Sequence, residues 1–221
     1  NKPLPNIHIK NLIGKNGHIS YEKDNVPIFA GHDVEFNIQD FTIDQQLSDE
    51  PLNQFDYSRI NKILVGSYYL LLSKQQHLFN AHNLLWENNQ EISMREISLV
   101  PYDNPNNKYN IKLPMISMTG VDLKKILKES YYSSESILIE QPEIVLQLSK
   151  GEQQNLSSLD LGFIPLLMRN QFHGVRTQKF YIRDGLIQVN QRTDTDSIVV
   201  ECDAFNLVVD DFEVDSTTRM L

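Results

Sequence analysis

The hydrophobic pattern of residues 56 to 87 constrains the fold more than any other feature of this sequence. Apolar residues recur there at spacings of three and four, which is the pattern of an amphipathic α-helix. The residues of this stripe include Ile60, Ile63, Leu64, Tyr68, Leu71, Leu72, Leu78, Phe79, Leu85 and Trp86. We predict one long helix, or two helices with a break near Gln75. Because an amphipathic helix beside a sheet normally buries its apolar stripe, we favour a core role for the stripe over a partner-binding role.

The first forty residues have the alternation of β-strands. Ile7 and Ile9 alternate with polar residues, and the alternation resumes after the turn-forming segment 14–17. This pattern predicts an N-terminal β-hairpin. Residues 34–39 alternate apolar and polar side chains, which predicts a further strand with one solvated face.

The middle of the chain returns to strand patterns after residue 90. Segments 92–100 and 109–118 read as strands separated by a turn rich in Asn, Asp and Pro. The segment from Thr119 to Asp122 predicts the start of a short helix. Residues 137–148 predict a strand that is interrupted at Pro142, since proline cannot donate to a sheet ladder.

The last third predicts a C-terminal β-hairpin. Asp184 and Gly185 stand between two apolar runs, and a two-residue Asp-Gly turn is the strongest local hairpin signal. Two further strands are predicted at 197–205 and 207–214.

The order of these elements lacks the regular strand and helix alternation of a parallel doubly wound fold. We therefore predict an α+β fold of mainly antiparallel sheets, with hairpins at both ends and one long helix packed on a sheet. We expect a single domain over residues 1–221, with a possible subdivision near Gly151.

Composition narrows the range of functions. The chain has 221 residues, a formal net charge of −9 and 40% hydrophobic residues, which is sufficient for a substantial core. The acidic balance argues against nucleic acid as the main partner, because affinity for nucleic acid rests on clustered Lys and Arg.

The one cysteine, Cys202, excludes an intramolecular disulfide, and we expect a buried thiol. No apolar run approaches the length of a membrane span and the first residues lack a signal-peptide pattern, so we expect a soluble, cytoplasmic protein.

The sequence carries no motif that predicts catalysis. It lacks the Gly-x-Ser-x-Gly elbow and the glycine-rich phosphate loops. His77 and His82 are five residues apart, which does not place them on one helix face as metal ligands. We therefore predict no catalytic residue, no metal site and no cofactor.

The most distinctive feature is a concentration of acidic residues near the C-terminus. Residues 184–215 contain nine acids and one base. The candidate binding surface comprises Asp194, Asp196, Glu201, Asp203, Asp210, Asp211, Glu213 and Asp215. The pairs Asp194/Asp196 and Glu201/Asp203 could instead hold Mg²⁺ or Ca²⁺. The acids are also consistent with a solvated sheet face, or with a surface that docks a basic partner.

These features lead to two hypotheses. We favour a non-enzymatic structural or interaction subunit of a larger protein assembly, whose partners are other protein subunits that bind the acidic region through a basic patch. The alternative is a divalent-metal-dependent hydrolase or nuclease that uses carboxylates of the C-terminal third. That alternative requires three or more of these carboxylates to meet in one cleft.

Overall fold

The described residues of the chain form a β-sheet of ten strands. The computed structural model describes residues 7–24, 26–43, 59–72, 77–88, 90–102, 109–122, 125–126, 129–148, 173–192 and 197–215. The strands are β1 (Ile7–Lys23), β2 (Val26–Ile43), β3 (Arg59–Leu72), β4 (His77–Glu87), β5 (Glu91–Pro101), β6 (Tyr109–Thr119), β7 (Tyr131–Glu140), β8 (Glu143–Leu148), β9 (Gly174–Arg192) and β10 (Ser197–Asp215).

The strands follow one another across the sheet in nearly their chain order. The order is β1-β2-β3-β4-β5-β6-β7-β9-β10, and β8 pairs with the same two neighbours as β7, namely β6 and β9. β7 and β8 thus share one position in the sheet. All neighbouring strands are antiparallel, except that β7 and β8 run parallel to β9.

A line of unusual backbone conformations crosses the sheet perpendicular to its strands. Its members occupy neighbouring positions in successive strands, as the pairing registers place them. We name this line the crease, and its members are Asn16, Asp33, Gly66, Asn83, Glu96, Pro114, Gln141, Asp184 and Ala204. Seven of them have φ between 48° and 54°; the other two are Gly66 and Pro114.

The residue types at the crease match this geometry. Asn and Asp adopt the left-handed conformation more readily than other non-glycine residues, and they supply Asn16, Asp33, Asn83 and Asp184. Pro114 cannot donate a hydrogen bond in the interior of a sheet, which fits a position where the ladder is already irregular. Left-handed residues inside strands bend them in the manner of β-bulges, so we expect the crease to bend the whole sheet.

Apolar side chains form continuous rows on both sides of the crease. On one side, nine directly paired residues run from β1 to β10: Tyr21, Phe29, Leu70, Phe79, Leu99, Ile111, Ile144, Ile187 and Cys202. On the other side, a second row comprises Gly14, Phe36, Ile63, Trp86, Ile92, Met118, Ile137, Phe180 and Val209. Each row spans the full width of the sheet.

The two rows lie on the same face where β2 and β3 cross the crease. The space beside Gly31 is bounded by the side chains of Phe29, Val34 and Val65, which lie on both sides of the crease. In a strand without an irregularity, two residues separated by an odd number of positions, such as Phe29 and Val34, would point to opposite faces. In β2 and β3 the crease therefore keeps the apolar residues of both halves on one face.

Two buried clusters form the core of the described chain. The first contains Leu72, Leu99 and Ile111. The second, beyond the crease, contains Val121, Tyr132, Ile137 and Val175, against which Ile126 also packs. Each cluster uses the apolar face of one half of the sheet.

The predicted α+β fold is wrong, because the described part of residues 56–87 forms strands β3 and β4 rather than a helix. The apparent helical spacing has a physical cause. Apolar residues alternate along each strand, but their spacing increases to three where a strand passes the crease, as from Val65 to Tyr68 and from Ala81 to Leu84. Apolar residues that alternate along bent strands, with a step of three at the crease, therefore resemble the three-and-four spacing of a helix. The predicted break near Gln75 lies outside the described residues.

The predicted hairpin turns at residues 14–17 and at Asp184-Gly185 are wrong. Residues 14–17 and the pair Asp184-Gly185 do not reverse the chain; they lie within continuous strands β1 and β9, at the crease. The actual hairpins join β1 to β2 and β9 to β10. The same preference for positive φ that favours a turn also favours a bulge.

The break at Pro142 is confirmed, since it separates β7 from β8. A helical turn begins after β6, where the backbone N–H of Lys125 donates to Asp122 Oδ1 at 3.1 Å. Asp122 is therefore its capping residue, three residues later than the predicted start at Thr119.

Within the described ranges, no helix is long and apolar enough to cross a membrane. The possible domain boundary near Gly151 falls outside the described residues.

Candidate functional site

Strand β10 is one edge of the sheet and carries most of the predicted acidic surface. It pairs with β9 on one side, and none of the described strands pairs with its other side. Large apolar side chains are exposed along it, namely Ile198, Val199, Val200, Leu207 and Val208. A long edge strand with exposed apolar residues is a template for pairing with another strand.

The acidic residues are distributed along β10 rather than gathered at one point. Glu201 and Asp203 lie on one side of the crease residue Ala204, and Asp210, Asp211 and Glu213 lie on the other side; all five are exposed. Asp215 is the last residue of the strand. Asp194 and Asp196 lie outside the described residues.

Asp203 has a structural role at the crease. Its Oδ1 atom accepts a hydrogen bond from the backbone N–H of Ala204 at 2.7 Å. Asn206 acts from the other side, where its Nδ2 donates to the Ala204 carbonyl at 3.1 Å and its Oδ1 accepts from the backbone N–H of Asp184 at 3.2 Å. These side chains satisfy backbone groups that the irregular ladder leaves open.

Basic residues of β9 lie beside two of the acids. Asp210 is directly opposite Lys179, and Glu213 is directly opposite Arg176. Glu213 Oε1 also accepts a hydrogen bond from the Tyr131 hydroxyl at 3.0 Å. Opposite charges on directly paired residues stabilise a sheet modestly. Asp211 and Glu201 face no basic partner across the β9–β10 pair, where their region contains Gln178 and Gln188.

The metal-binding alternative receives no support from this arrangement. Among the described residues, no three His, Cys, Asp or Glu side chains gather in the way a metal ion requires. The pair Glu201/Asp203 is exposed, and Asp203 is engaged with the backbone of Ala204.

Sequence analysis did not identify the opposite edge of the sheet as a candidate surface. Strand β1 is that edge, and it carries Lys10, Lys15 and Lys23 against a single acid, Glu22. Ile13, Ile19 and Tyr21 are exposed along it. The signal was present in the charges of residues 7–23, but their position at an edge depends on pairings that are distant in sequence.

Cys202 is exposed on β10, so the predicted buried thiol is wrong. Cys202 ends an apolar row, as its alternating neighbours suggested, but the row ends at the sheet edge where no strand of the described chain covers it.

His77 and Tyr109 form a polar pair beside the first buried cluster. Their side chains are hydrogen-bonded through His77 Nδ1 and the Tyr109 hydroxyl, and their ring centroids are 5.9 Å apart. Burial lowers the pKa of His77 and raises the pKa of Tyr109 to about 12. Both shifts favour the neutral forms. The pair thus brings no charge to the first buried cluster, against which Tyr109 packs.

Comparison with protein-family profiles, with curated proteins and with solved structures finds no match for this chain.

Proposed function

We propose that this chain is a non-enzymatic structural or interaction subunit of a larger protein assembly, and that it docks its partner along β10. The observation that carries the proposal is the combination, on one element, of a strand edge that no described strand covers, exposed apolar side chains and acidic residues. An added strand would pair with the backbone of β10, and its side chains would contact those of β10.

The acidic residues contribute to the choice of partner. β10 carries six acids and no base, so a strand with basic residues is attracted to it while an acidic strand is repelled. Like charges crowded on one strand also repel one another, and a basic partner would relieve that repulsion. We therefore expect the partner to be a protein that offers an extended segment with Lys or Arg.

A photoreactive residue in place of Val208 tests this proposal. Val208 is 61% exposed on β10, and an exposed position away from that edge, Tyr102, provides the control. In lysate from the source cells, we expect defined cross-linked products from position 208 that position 102 does not give. Equal products from both positions, or none from position 208, would contradict the proposal.

Proline substitution shows whether backbone pairing is responsible. Successive N–H groups of a strand point to opposite sides, so one of Val208 and Val209 donates toward β9 and the other toward the open edge. Proline at the outward position should abolish the cross-links of position 208 with little loss of stability. Proline at the inward position should destabilise the β9–β10 pair.

A further inference from the structure

We infer that the partner of β10 is the β1 edge of a second copy of this chain, so that the sheet continues from one copy into the next. This inference rests on the proposed function, because it names the partner of the same edge. It is argued from the strand directions within one copy, from a register that continues the crease, and from the charges of the two edges.

Strand direction permits the pairing. Directions alternate from β1 to β7, β9 runs parallel to β7, and β10 runs antiparallel to β9. β1 and β10 therefore run in opposite directions. A second copy placed beside β10 with the same face upward presents its β1 antiparallel to β10, which is the arrangement of most strand pairs in the sheet.

Register allows the crease and the apolar face to continue. When Tyr21 of the second copy lies opposite Val200, antiparallel pairing places Leu12 opposite Val209. Within each copy, Tyr21 and Leu12 pair with apolar residues of β2, while Val200 and Val209 pair with apolar residues of β9. The same register brings Asn16 to within one position of Ala204, so the crease of one copy meets the crease of the next.

Charge selects this pairing over the symmetric ones. In the stated register Lys10 lies opposite Asp211, an acid with no basic partner across the β9–β10 pair. Pairing two β10 strands would bring six acids against six, and pairing two β1 strands would bring lysines together. A head-to-tail contact uses two different surfaces of each copy, so it can repeat and form longer assemblies.

Sedimentation velocity of the purified full chain tests the inference. At low salt we expect the average sedimentation coefficient to rise with protein concentration. The rise should diminish at high salt, because the Debye length falls from about 30 Å at 0.01 M to about 3 Å at 1 M. A wild-type chain that remains monomeric at all concentrations and both salt levels would overturn the inference.

Charge-reversal variants make the test specific. Lys10→Glu/Lys15→Glu alters β1, and Glu201→Lys/Asp211→Lys alters β10; all four side chains are exposed, and circular dichroism checks that each variant is folded. Each variant alone should associate at least about tenfold more weakly than wild type, because the contact of Lys10 with Asp211 then joins like charges and the second substitution adds a further like charge to the same edge. An equimolar mixture should recover association. A mixture no better than the separate variants would contradict the β1–β10 contact.

The two proposals can fail separately. If the charge variants change nothing in the purified protein but cross-links of Val208 to a different protein persist in lysate, the second copy is the wrong partner and β10 remains a docking edge. If both experiments fail, the docking function of β10 fails with them.

Discussion

A Cβ atom at Gly66 would lie 2.9 Å from the Cβ atom of Asp33 on the neighbouring strand. The pairs on either side, His32 with Ser67 and Val34 with Val65, place these two residues opposite each other at the crease. β3 approaches β2 so closely there that only glycine fits without displacing the backbone of one strand. The crease thus depends on close packing as well as on backbone conformation.

We expect Gly66→Ala to reduce the free energy of unfolding by about 1–3 kcal/mol, because the added methyl group overpacks this contact. Denaturant titration measures the loss. Gly17→Ala is the matched control. Its Cβ would be 3.3 Å from the nearest atom, a Val34 backbone oxygen, so the loss of unfolding free energy should be smaller. Equal losses would mean that the contact at Asp33 is not the cause.

Glu96 provides a test of the left-handed conformation itself. Its φ is 48°. This conformation is unfavourable by about 1–2 kcal/mol for a residue with a side chain, whereas glycine adopts it without that penalty. Glu96→Gly should therefore stabilise the protein by about 1 kcal/mol, while Glu96→Val should destabilise it. Arg95→Gly, one residue earlier and without positive φ, should cost about 0.5–1 kcal/mol. Thermal unfolding of the three variants gives the comparison, and a destabilising Glu96→Gly would argue against the crease geometry.

The strands outside residues 56–87 were largely predictable, because alternation reveals half-buried strands such as those at 92–100 and 109–118. The helix prediction failed because Val65 and Tyr68, or Ala81 and Leu84, are three apart in a chain whose strands bend. Asp184-Gly185 was correctly predicted to favour a positive φ, but that conformation produces an irregularity within strand β9 and not a turn. The acidic residues were visible in sequence, but the edge position of β10, and the basic edge β1 opposite it, follow only from long-range pairings.

The partial burial of His77 predicts a pH dependence. Burial lowers its pKa in the folded protein, so the unfolded chain binds the proton more readily. The stability that neutral His77 contributes should be present above its unfolded pKa of about 6.5 and should decrease as the pH falls below that value. We expect His77→Gln to show a shallower loss of stability between neutral and acidic pH than wild type. Denaturant titrations at several pH values measure how the free energy of unfolding changes with pH. Equal slopes for His77→Gln and wild type would contradict the predicted contribution of His77.

Adjacent residues of β5 should differ sharply in their tolerance of substitution. Ile97 is 2% exposed on the apolar face, whereas Ser98 lies on the opposite face and is half-buried. Ile97→Ala should cost about 2–5 kcal/mol, because it removes buried methyl groups and leaves a cavity. Ser98→Ala should cost less than about 1.5 kcal/mol, since only a long hydrogen bond to Asn80 is lost. Similar costs at both positions would show that the alternation of faces in β5 is incorrect.

The most direct test of the account is a nuclear Overhauser measurement between the side chains of Ile63 and Trp86. These residues are directly paired across β3 and β4, in the segment whose spacing imitates a helix. We expect a strong contact between them, together with a contact between Leu70 and Phe79 on the other side of the crease. In a continuous helix Ile63 and Trp86 would be about 34 Å apart, given a rise of about 1.5 Å per residue. Sequential amide contacts through residues 59–87, with no Ile63–Trp86 contact, would contradict the creased sheet and the edge assigned to β10.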